Sequence, residues 1–413
     1  MSRFTKNIAQ LVGGNAASQV VVFGATPLLT RLFSPEDFGV YAVFSGSNAV
    51  LAALFTLKYD LAILLPKEDV EARGITRLML YVAATLAGAV ALGLVAWGAA
   101  LHALPPWQYL FLPASGLLAA LVAAFQQWSA RAADYRRYSK SLLVAALVMA
   151  TTSCALGVAL PVTAAGLPLG FVLGQAAAVA YLWLAVRPRL VAPHVEDLRG
   201  VAGDYRRFPL FVLPSALLAL LATSVPPWLV ERMFSLHDAG QYALAARMLI
   251  TPSALVGFAI AEAFRAELMA RLHRREAVTR WVLATLGKSV VVATIALAAL
   301  AAVAPYAFGL VFGEAFRPAG ELLLLLAPAA LAQFVLLPMS FVFVATDHVR
   351  LGTAAQALGS LLPLALLAAG GHAGSLTQAF TGYSAGSVAA AGAVVLLVWR
   401  TCRAADRTRH YAP

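Results

Sequence analysis

The sequence predicts an all-α polytopic membrane protein with about twelve transmembrane helices, arranged as two parallel six-helix lobes around a central cavity. Three observations lead to this fold class: the apolar composition, the recurrence of long apolar runs, and a short motif that occurs once in each half. Of the 413 residues, 61% are hydrophobic and only 12% are charged, and the mean hydropathy is +0.81. A soluble protein of this length needs far more polar surface, so the composition places the chain in a membrane.

The apolar runs are each about 20 residues long, which is enough for a helix to cross a hydrocarbon core of about 30 Å. They must be helical, because an isolated strand cannot satisfy its backbone amides in lipid. None of the intervening segments is long enough for a soluble catalytic domain, and the first run is too long for a cleavable signal. The predicted spans lie, in chain order, near residues 8–30, 38–57, 77–101, 107–128, 141–160, 164–186, 208–230, 240–264, 284–312, 320–345, 350–370 and 373–399.

The basic residues predict an orientation. The net charge is +11, and 26 of the 30 Lys and Arg residues fall in the terminal segments and in alternate loops. With the N-terminus inside, all of these segments are cytoplasmic, as the positive-inside rule requires. The charge pattern therefore predicts a multi-pass protein with both termini in the cytoplasm. It argues against nucleic-acid binding, because the basic loops would lie against anionic lipid headgroups instead.

Six predicted spans precede the basic segment 187–207 and six follow it, so the predicted lobes are 1–200 and 201–413. Because six is an even number, both lobes enter the membrane from the same side, which predicts parallel rather than inverted repeats. Chains built from two such halves are typical of transporters, whose sites lie between the repeats.

A short motif occurs in the first outer hairpin of each predicted lobe. Residues 31–42 have the sequence RLFSPEDFGVYA and residues 232–243 have RMFSLHDAGQYA, with seven identities in twelve positions. The serine of each copy is a good N-cap, and the aspartate three residues later completes a capping box. The motif predicts a helix–helix corner that sets the geometry of each lobe. The alternative is direct substrate contact by Arg31 or Arg232.

Several segments carry a family resemblance. RLFSPEDFG at 31–39 and KYDLAILLPK at 58–67 lie in the first half, AGQYALAAR at 239–247 and PSALVGFAIAEAF at 252–264 lie in the second, and FGEAF follows at 312–316. In these segments the chain resembles the Wzx-type polysaccharide, or O-antigen, flippases. That family belongs to the multidrug, oligosaccharidyl-lipid and polysaccharide exporters.

The resemblance implies two helix bundles around a cavity that opens alternately to each side of the bacterial inner membrane. It implies that the substrate is an undecaprenyl-pyrophosphate-linked oligosaccharide, translocated for a surface polysaccharide such as the O-antigen of lipopolysaccharide. The expected partners are this lipid-linked oligosaccharide, the membrane, and a polysaccharide polymerase with its chain-length regulator. No nucleic acid is expected as a partner.

Cations inside predicted spans are candidates for substrate binding, because a charge there costs up to about 3.5 kcal/mol by insertion scales. Arg247 lies seven residues beyond Gly240, about 10 Å into the eighth span. Its planar guanidinium suits bidentate binding of a pyrophosphate, and the alternative is that it snorkels to the outer headgroups. Arg265 falls on the same helical face near the cytoplasmic end, and Arg31 and Lys58 complete the candidate cations.

Two carboxylates are candidates for coupling to protons or cations. Asp60 and Glu262 lie at the cytoplasmic ends of the second and eighth spans, so their placement is similar in the two halves. The alternative is that each forms an interfacial ion pair, Asp60 with Lys58 and Glu262 with Arg265.

The first span carries one polar stripe. Asn15, Gln19, Thr26 and Thr30 fall within an arc of about 100° on a helix, so they should face protein or water rather than lipid. A sugar-binding site would suit the amides of Asn15 and Gln19, and hydrogen bonding between helices is the alternative.

The sequence lacks the motifs of other membrane functions. No phosphate-binding loop is present, so ATP is not expected as the energy source, and no acidic cluster is present for the magnesium of a prenyltransferase. With two cysteines and no paired histidines, we expect no metal, no cofactor and no enzymatic activity. The alternatives to a flippase are a drug or cation antiporter of the same superfamily and, less favoured, a membrane-embedded glycosyl or acyl transferase.

Overall fold

The structure is a computed structural model that describes residues 3–101, 106–159, 164–190 and 198–410. The described chain is helical and contains no strand. Two short helices, α3 (Tyr59–Ala62) and α8 (Leu198–Asp204), lie between longer ones. The longer helices are α1 (Arg3–Leu32), α2 (Pro35–Thr56), α4 (Asp69–Leu101), α5 (Pro106–Arg131), α6 (Tyr135–Ala159), α7 (Gly166–Leu190), α9 (Leu213–Met233), α10 (Leu236–His273), α11 (Thr279–Phe312), α12 (Arg317–Ala345), α13 (Val349–His372) and α14 (Leu376–His410).

The longer helices confirm the predicted all-α membrane fold. Each predicted span overlaps one of the twelve longer helices, in the predicted order. Ten helices of the described chain are long and apolar enough to cross a membrane. The helices extend past several predicted ends: α10 has 38 residues, a length of about 57 Å that exceeds a bilayer of about 40–45 Å. The chain is a multi-pass membrane protein.

The chain divides into two compact units, Met1–Leu220 and Leu221–Pro413, referred to below as unit 1 and unit 2. The division falls inside α9 rather than in the basic segment that connects the predicted lobes. A short π-helix, Phe208–Val212, immediately precedes α9. The predicted lobe limits 1–200 and 201–413 stay a prediction.

Four helix pairs pack in a corresponding way in the two units. In unit 1, α6 packs on α7, α5 on α7, α2 on α5 and α4 on α5. In unit 2, the corresponding pairs are α13 with α14, α12 with α14, α10 with α12 and α11 with α12. These four pairs recur in both units, as the twin motif in the sequence suggests, whereas the packing of α1 on α6 has no counterpart of similar extent between α9 and α13.

Glycines bring the backbones of two helix hairpins into contact. On α7, a Cβ added to Gly174 would lie 2.6 Å from the carbonyl oxygen of Ala145 on α6. On α14, a Cβ added to Gly382 would lie 2.6 Å from the carbonyl oxygen of Leu366 on α13. Small residues permit such close helix packing where lipid supplies no hydrophobic driving force between helices. The hairpins α6–α7 and α13–α14 are thus held together by backbone packing.

The twin motif forms a capped corner in both units. In the first copy, the amide of Asp37 donates to Ser34 Oγ at 3.3 Å and the amide of Ser34 donates to Asp37 Oδ2 at 3.0 Å, so the predicted capping box is present. In the second copy, the amide of Asp238 donates to Ser235 Oγ at 3.1 Å. The caps satisfy backbone donors at the starts of α2 and α10, and they support the interpretation of the motif as a corner.

Candidate substrate and coupling site

The predicted site residues of unit 1 lie at separate depths along the helices. Asn15 and Gln19 are half-buried in α1, and Arg31 is exposed at its end. At 1.5 Å per residue, Asn15 and Arg31 are about 24 Å apart along the helix. Lys58 follows the far end of α2, a helix of 22 residues that is about 33 Å long. The structure therefore does not bring these four residues into one cluster.

The threonines of the polar stripe on α1 are satisfied within their own helix. Thr26 Oγ1 donates to the carbonyl oxygen of Val22 at 2.7 Å, and Thr30 Oγ1 donates to that of Pro27 at 3.2 Å. Both threonine side chains are buried. The half-buried amides of Asn15 and Gln19 are thus the part of the stripe that remains suited to a ligand.

In unit 2, the two predicted cations differ in environment. Arg247 is half-buried in α10, about 16 Å beyond the start of that helix at Leu236. Arg265 is exposed and forms an ion pair with Glu262, with 3.3 Å between Nη1 and Oε1. Its guanidinium also lies 4.8 Å from the ring centroid of Phe341. Arg247 is therefore the more buried of the two predicted cations of unit 2.

The two predicted coupling carboxylates are not equivalent. Glu262 has a side chain that is 63% exposed, and it forms the ion pair with Arg265 that the sequence offered as the alternative. Asp60 is only 7% exposed, and its Oδ1 atom has no hydrogen-bond partner in the described chain. No ion pair joins Asp60 to Lys58 or to another described residue. A buried carboxylate oxygen without a partner carries a large desolvation cost when ionised.

Asp60 follows a break between α2 and α3. Leu57 and Lys58 both have left-handed backbone conformations, with φ of 44° and 61°. Neither residue type favours this region, which costs about 1–2 kcal/mol per non-glycine residue. The break ends α2 and starts the single turn of α3, and it turns Asp60 into the interior of unit 1. Strained backbone of this kind is concentrated at functional sites.

A cavity of about 340 Å³ lies beside Asp60 in unit 1. Asp60, Lys58 and Thr56 provide its polar groups, and the opposite walls are formed by small side chains. The further lining residues are Ala49, Ala52, Ala53, Ala119, Ala123, Ala216, Ala219 and Leu220. We refer to this space as the Asp60 cavity.

The surroundings of Asp60 shift its acidity. Burial raises the pKa of the Asp60 carboxyl above its usual value of 3.8, and this effect outweighs the lowering of the pKa by the charge of Lys58 and by a hydrogen bond with Thr56. The neutral form of Asp60 is therefore favoured in this structure relative to a carboxyl in water.

Arg131 holds the segment that follows α3. Its guanidinium donates to the carbonyl oxygens of Ile63 at 3.2 Å, Pro66 at 2.6 Å and Lys67 at 3.1 Å. It also forms an ion pair with Asp69 at 2.8 Å. Arg131 therefore satisfies backbone carbonyls in a segment where no regular helix can do so.

Apolar contacts fix α3 itself. Tyr59, Ala62 and Ile63 are buried in a core cluster that also contains Phe125 and Trp128 of α5. The indole nitrogen of Trp128 donates to a hydroxyl on α4 at 2.8 Å. Because the core and Arg131 hold α3, the left-handed residues before it are the place where this segment can change direction.

Unit 2 contains a different cavity, with uncharged polar groups. It has a volume of about 340 Å³, and its polar groups come from Thr223 on α9, Gln333 on α12, and Gln356 and Ser360 on α13. Gln333 also lines two smaller adjoining cavities, and its amide donates to the hydroxyl of Tyr383 at 3.5 Å. We refer to the larger space as the Gln333 cavity. The sequence did not indicate it, because these four residues come from three helices and share no spacing.

A second polar contact links two motifs of unit 2. The side-chain amide of Gln241 donates to the carbonyl oxygen of Ala315 at 2.6 Å. Gln241 belongs to the second copy of the corner motif, and Ala315 belongs to FGEAF at 312–316. Two of the three segments that carried the family resemblance in this half therefore meet in the structure and support the corner.

Comparison with known families shows where the chain belongs. Residues 28–321 match the family described as polysaccharide biosynthesis protein. Among curated protein sequences, none matches the chain.

Solved structures share the fold at low sequence identity. An inward-facing multidrug resistance transporter of the MATE family and MOP superfamily is similar with a TM-score of 0.76 at 12% identity, over 94% of this chain and 96% of that one. The lipid II flippase MurJ in an inward closed conformation is similar with a TM-score of 0.74 at 8% identity, over 95% and 88%. A mutant of the Vibrio cholerae MATE transporter VcmN has a TM-score of 0.60 at 12% identity, over 97% of each chain.

These findings agree with the resemblance to polysaccharide flippases seen in the sequence. The family match spans both units, and the similar structures cover nearly the whole of this chain. The protein belongs to the polysaccharide biosynthesis protein family, and it has the fold of the MOP superfamily transporters.

Proposed function

We propose that the protein is a flippase for undecaprenyl-pyrophosphate-linked oligosaccharide repeat units. It translocates them across the bacterial inner membrane by alternating access, for the synthesis of a surface polysaccharide. Family membership supports the link to polysaccharide, and the multi-pass fold shared with transporters supports translocation. In this proposal both termini are cytoplasmic, and the new repeat units are passed on to a polymerase and its chain-length regulator.

The observation that carries the proposal is the half-buried Arg247 inside α10. A guanidinium within a predicted span is costly, and such residues commonly mark substrate pathways. A pyrophosphate offers the paired oxygens that a guanidinium binds in bidentate fashion. Arg247 is therefore the residue best suited to hold the charged head of the lipid carrier during its passage.

The other cations of the proposed site would act at other depths. Arg31 lies at the outer end of the first predicted span, whereas Lys58 and Arg265 lie near the cytoplasmic ends of the second and eighth, so the pyrophosphate would meet them at different stages of its passage. Successive weak sites suit transport, because a substrate that bound too tightly at one site could not leave it. The prenyl chain would stay in lipid throughout, so its apolar surface would not be exposed to water.

The glycan would be held by uncharged polar groups. Amides and hydroxyls both donate and accept hydrogen bonds, as sugar hydroxyls do. Asn15 and Gln19 supply such amides in unit 1, and the Gln333 cavity supplies two amides and two hydroxyls in unit 2. At about 340 Å³, the Gln333 cavity falls at the lower end of the range of ligand pockets.

The second candidate function is a drug or cation antiporter, supported by the likeness in fold to a multidrug resistance transporter. A site for a cation would need unpaired carboxylates and few basic groups. The proposed site contains four cations against one unpaired carboxylate, Asp60, because Glu262 is paired with Arg265. The balance of charge favours an anionic substrate. A glycosyl or acyl transferase is less favoured, because the sequence lacks the acidic and histidine clusters of such enzymes.

The test is translocation of a purified lipid-linked oligosaccharide in proteoliposomes, followed by its accessibility to an added lectin. We expect Arg247→Ala to reduce the rate by about tenfold to a hundredfold, because a hydrogen bond to a charged group contributes about 1.5–3 kcal/mol. Arg247→Lys should restore only part of the rate, since an ammonium cannot bind in bidentate fashion.

The matched control is Arg317→Ala, which removes an exposed arginine that pairs with Glu314 at 3.7 Å. It should transport as the wild type does. Normal transport by Arg247→Ala would assign that residue to the headgroups instead. Transport of a cationic drug in place of the lipid-linked glycan would support the antiporter.

A further inference from the structure

The wall of the Gln333 cavity contains no charged side chain among the residues that the structure describes. Its polar side chains are Thr223, Gln333, Gln356 and Ser360, and the other lining residues are alanines, glycines, leucines, a valine and Phe343. We propose that this cavity binds one uncharged sugar residue of the glycan, and that it thereby selects neutral over acidic repeat units. This inference rests on the flippase function proposed above.

The side chain of Gln333 is placed to bind a sugar hydroxyl. Its amide nitrogen donates to the hydroxyl of Tyr383 at 3.5 Å, and no donor of the described chain binds its Oε1 atom. Tyr383 is only 5% exposed, so its hydroxyl gives the amide a fixed partner on one side. The Oε1 acceptor and the second N–H of the amide therefore remain for a ligand.

Two residues of α13 add hydrogen-bonding groups one helical turn apart. Gln356 and Ser360 lie four positions apart, so their side chains share one face of α13, and both line the cavity. Ser360 is buried, whereas Gln356 and Thr223 are exposed. The cavity is therefore closed around Ser360 and open beside Gln356 and Thr223, so a sugar residue can enter it while still linked to its chain.

The composition of the wall discriminates by charge. The hydroxyls of a neutral sugar both donate and accept hydrogen bonds, and the amides and hydroxyls of the wall can satisfy them. A carboxylate that leaves water needs a cation or several donors, and its transfer is very costly without them. No lysine or arginine of the described chain lines this cavity. An acidic sugar would therefore lose more on entry than it gains.

An adjoining cavity gives the preference for uncharged groups a second basis. It has a volume of about 120 Å³, and it shares Gln333 and Leu337 with the Gln333 cavity. Its other polar lining residue in the described chain is Ser253, whose hydroxyl donates to the carbonyl oxygen of Leu249 at 2.7 Å within α10. A substituent that extends here from a sugar ring meets mainly apolar atoms, so a methyl group fits better than a hydroxyl or a carboxylate.

A glycine in the wall allows the cavity to be filled with little disturbance of its surroundings. A Cβ added to Gly359 on α13 would meet Leu336 Cδ1 at 3.6 Å, an ordinary contact distance, and nothing else within 4 Å. A larger side chain at this position would extend into the space that the sugar occupies. On α14, a Cβ added to Gly392 would have nothing within 4 Å, and Gly392 is not part of the wall. Gly359→Leu and Gly392→Leu are therefore a matched pair.

The first experiment measures sugar binding by the purified full-length protein, without the lipid carrier. The probes are the methyl α-glycosides of galactose, 6-deoxygalactose and galacturonate, which differ only at C6, and the corresponding series based on glucose. Saturation-transfer difference NMR reports which of them contact the protein. We expect the neutral members of at least one series to bind, the 6-deoxy sugar most strongly and the uronate least. Binding of no neutral sugar, or equal binding of a uronate, would overturn the proposal, and weaker binding of the 6-deoxy sugar would overturn the role of the adjoining cavity.

Variants locate the bound sugar. Gly359→Leu should weaken binding by about tenfold or more, because the sugar loses its hydrogen bonds with the wall, and Gln333→Met should weaken it as well. Gly392→Leu and Gln378→Met alter exposed positions of α14 and should bind as the wild type does. Thermal unfolding checks that each variant is folded, and Gln333→Met decides the result if Gly359→Leu is not. Unchanged binding in folded variants of the wall would overturn the assignment to this cavity.

The second experiment uses proteoliposomes and two lipid-linked oligosaccharides that differ only at C6 of one residue. One carries the neutral sugar that binds, and the other carries its uronate. The wild type and Gly392→Leu should translocate the neutral substrate about tenfold faster, and Gly359→Leu should lose this preference. Equal rates in the wild type would overturn the selection. If the wild type translocates neither lipid, the flippase function fails, and the NMR measurement still decides whether the cavity binds an uncharged sugar.

Discussion

At the residue scale, a few side chains form hydrogen bonds with backbone carbonyls that lie outside regular helices and therefore have no helical partner. Arg131 is the clearest case, with its guanidinium bonded to three backbone carbonyls and one carboxylate. The side chain is 11% exposed, so these contacts are shielded from water more than surface ion pairs are. The planar fork of arginine makes such a set possible, and a lysine could reach only part of it.

We expect Arg131→Lys to lower the thermal stability of the purified protein. Losing hydrogen bonds from a charged group should cost about 1.5–3 kcal/mol. The control is Arg137→Lys, because Arg137 forms an exposed pair with Asp134 at 3.1 Å and such pairs contribute at most about 1 kcal/mol. Equal melting temperatures for the two variants would show that the carbonyl contacts of Arg131 do not hold the segment after α3.

Asp60 and Glu262 show what the sequence can and cannot predict at this scale. Both carboxylates sit near a basic residue at the end of a span, so spacing alone treats them alike. The structure separates them because Glu262 lies one helical turn from Arg265 on the same helix, whereas a break in the backbone turns Asp60 inward. Leucine and lysine do not favour left-handed conformations, so the residue types at positions 57 and 58 do not predict the break.

At the element scale, the hairpins α6–α7 and α13–α14 depend on glycines that allow backbones to touch. The spacing of four residues between Gly170 and Gly174, and between Gly382 and Gly386, places each pair on one helical face. The sequence contains this spacing, but only the packed structure shows which neighbour each face contacts.

We expect Gly382→Ala to destabilise unit 2. The new Cβ would lie 2.6 Å from the carbonyl oxygen of Leu366, and overpacking of this kind costs about 1–3 kcal/mol. Gly392→Ala on the same helix is the matched control, because nothing lies within 4 Å of its Cβ position. Since alanine favours helix by about 1 kcal/mol over glycine, Gly392→Ala should be neutral or stabilising. Thermal unfolding of both variants measures the difference, and a stable Gly382→Ala would contradict the close approach.

At the scale of the whole molecule, most of the fold could be predicted from the sequence. Each predicted span overlaps one long helix, although several helices extend past the predicted ends, because the cost of leaving backbone groups unpaired in lipid makes long apolar runs helical. The cavities could not be predicted. The Gln333 cavity combines residues of three helices, and its existence depends on which faces pack together rather than on any local pattern.

The predicted orientation has a direct test in cells. In a background with Cys154→Ser and Cys402→Ser, we expect a membrane-impermeant maleimide to label Glu36→Cys in intact cells. It should label Glu68→Cys only after the inner membrane is made permeable. Both glutamates are exposed. Glu36 lies in the first turn of α2, and Glu68 lies in the segment between α3 and α4, beyond the other end of α2, so each serves as the control for the other. The reverse labelling pattern would place the termini outside and contradict the positive-inside assignment.

The glycine contacts in the two hairpins also bear on how such a protein can evolve. Where two backbones touch directly, the fit depends on the absence of a side chain at a few positions and little on the identity of the others. Lipid-facing positions need only remain apolar, so they can drift freely. A scaffold under so few constraints can keep its shape while its sequence changes almost completely, which is consistent with a TM-score of 0.74 at 8% identity to a lipid II flippase. New polar groups can then be introduced on the interior faces, and the substrate changed, without rebuilding the hairpins.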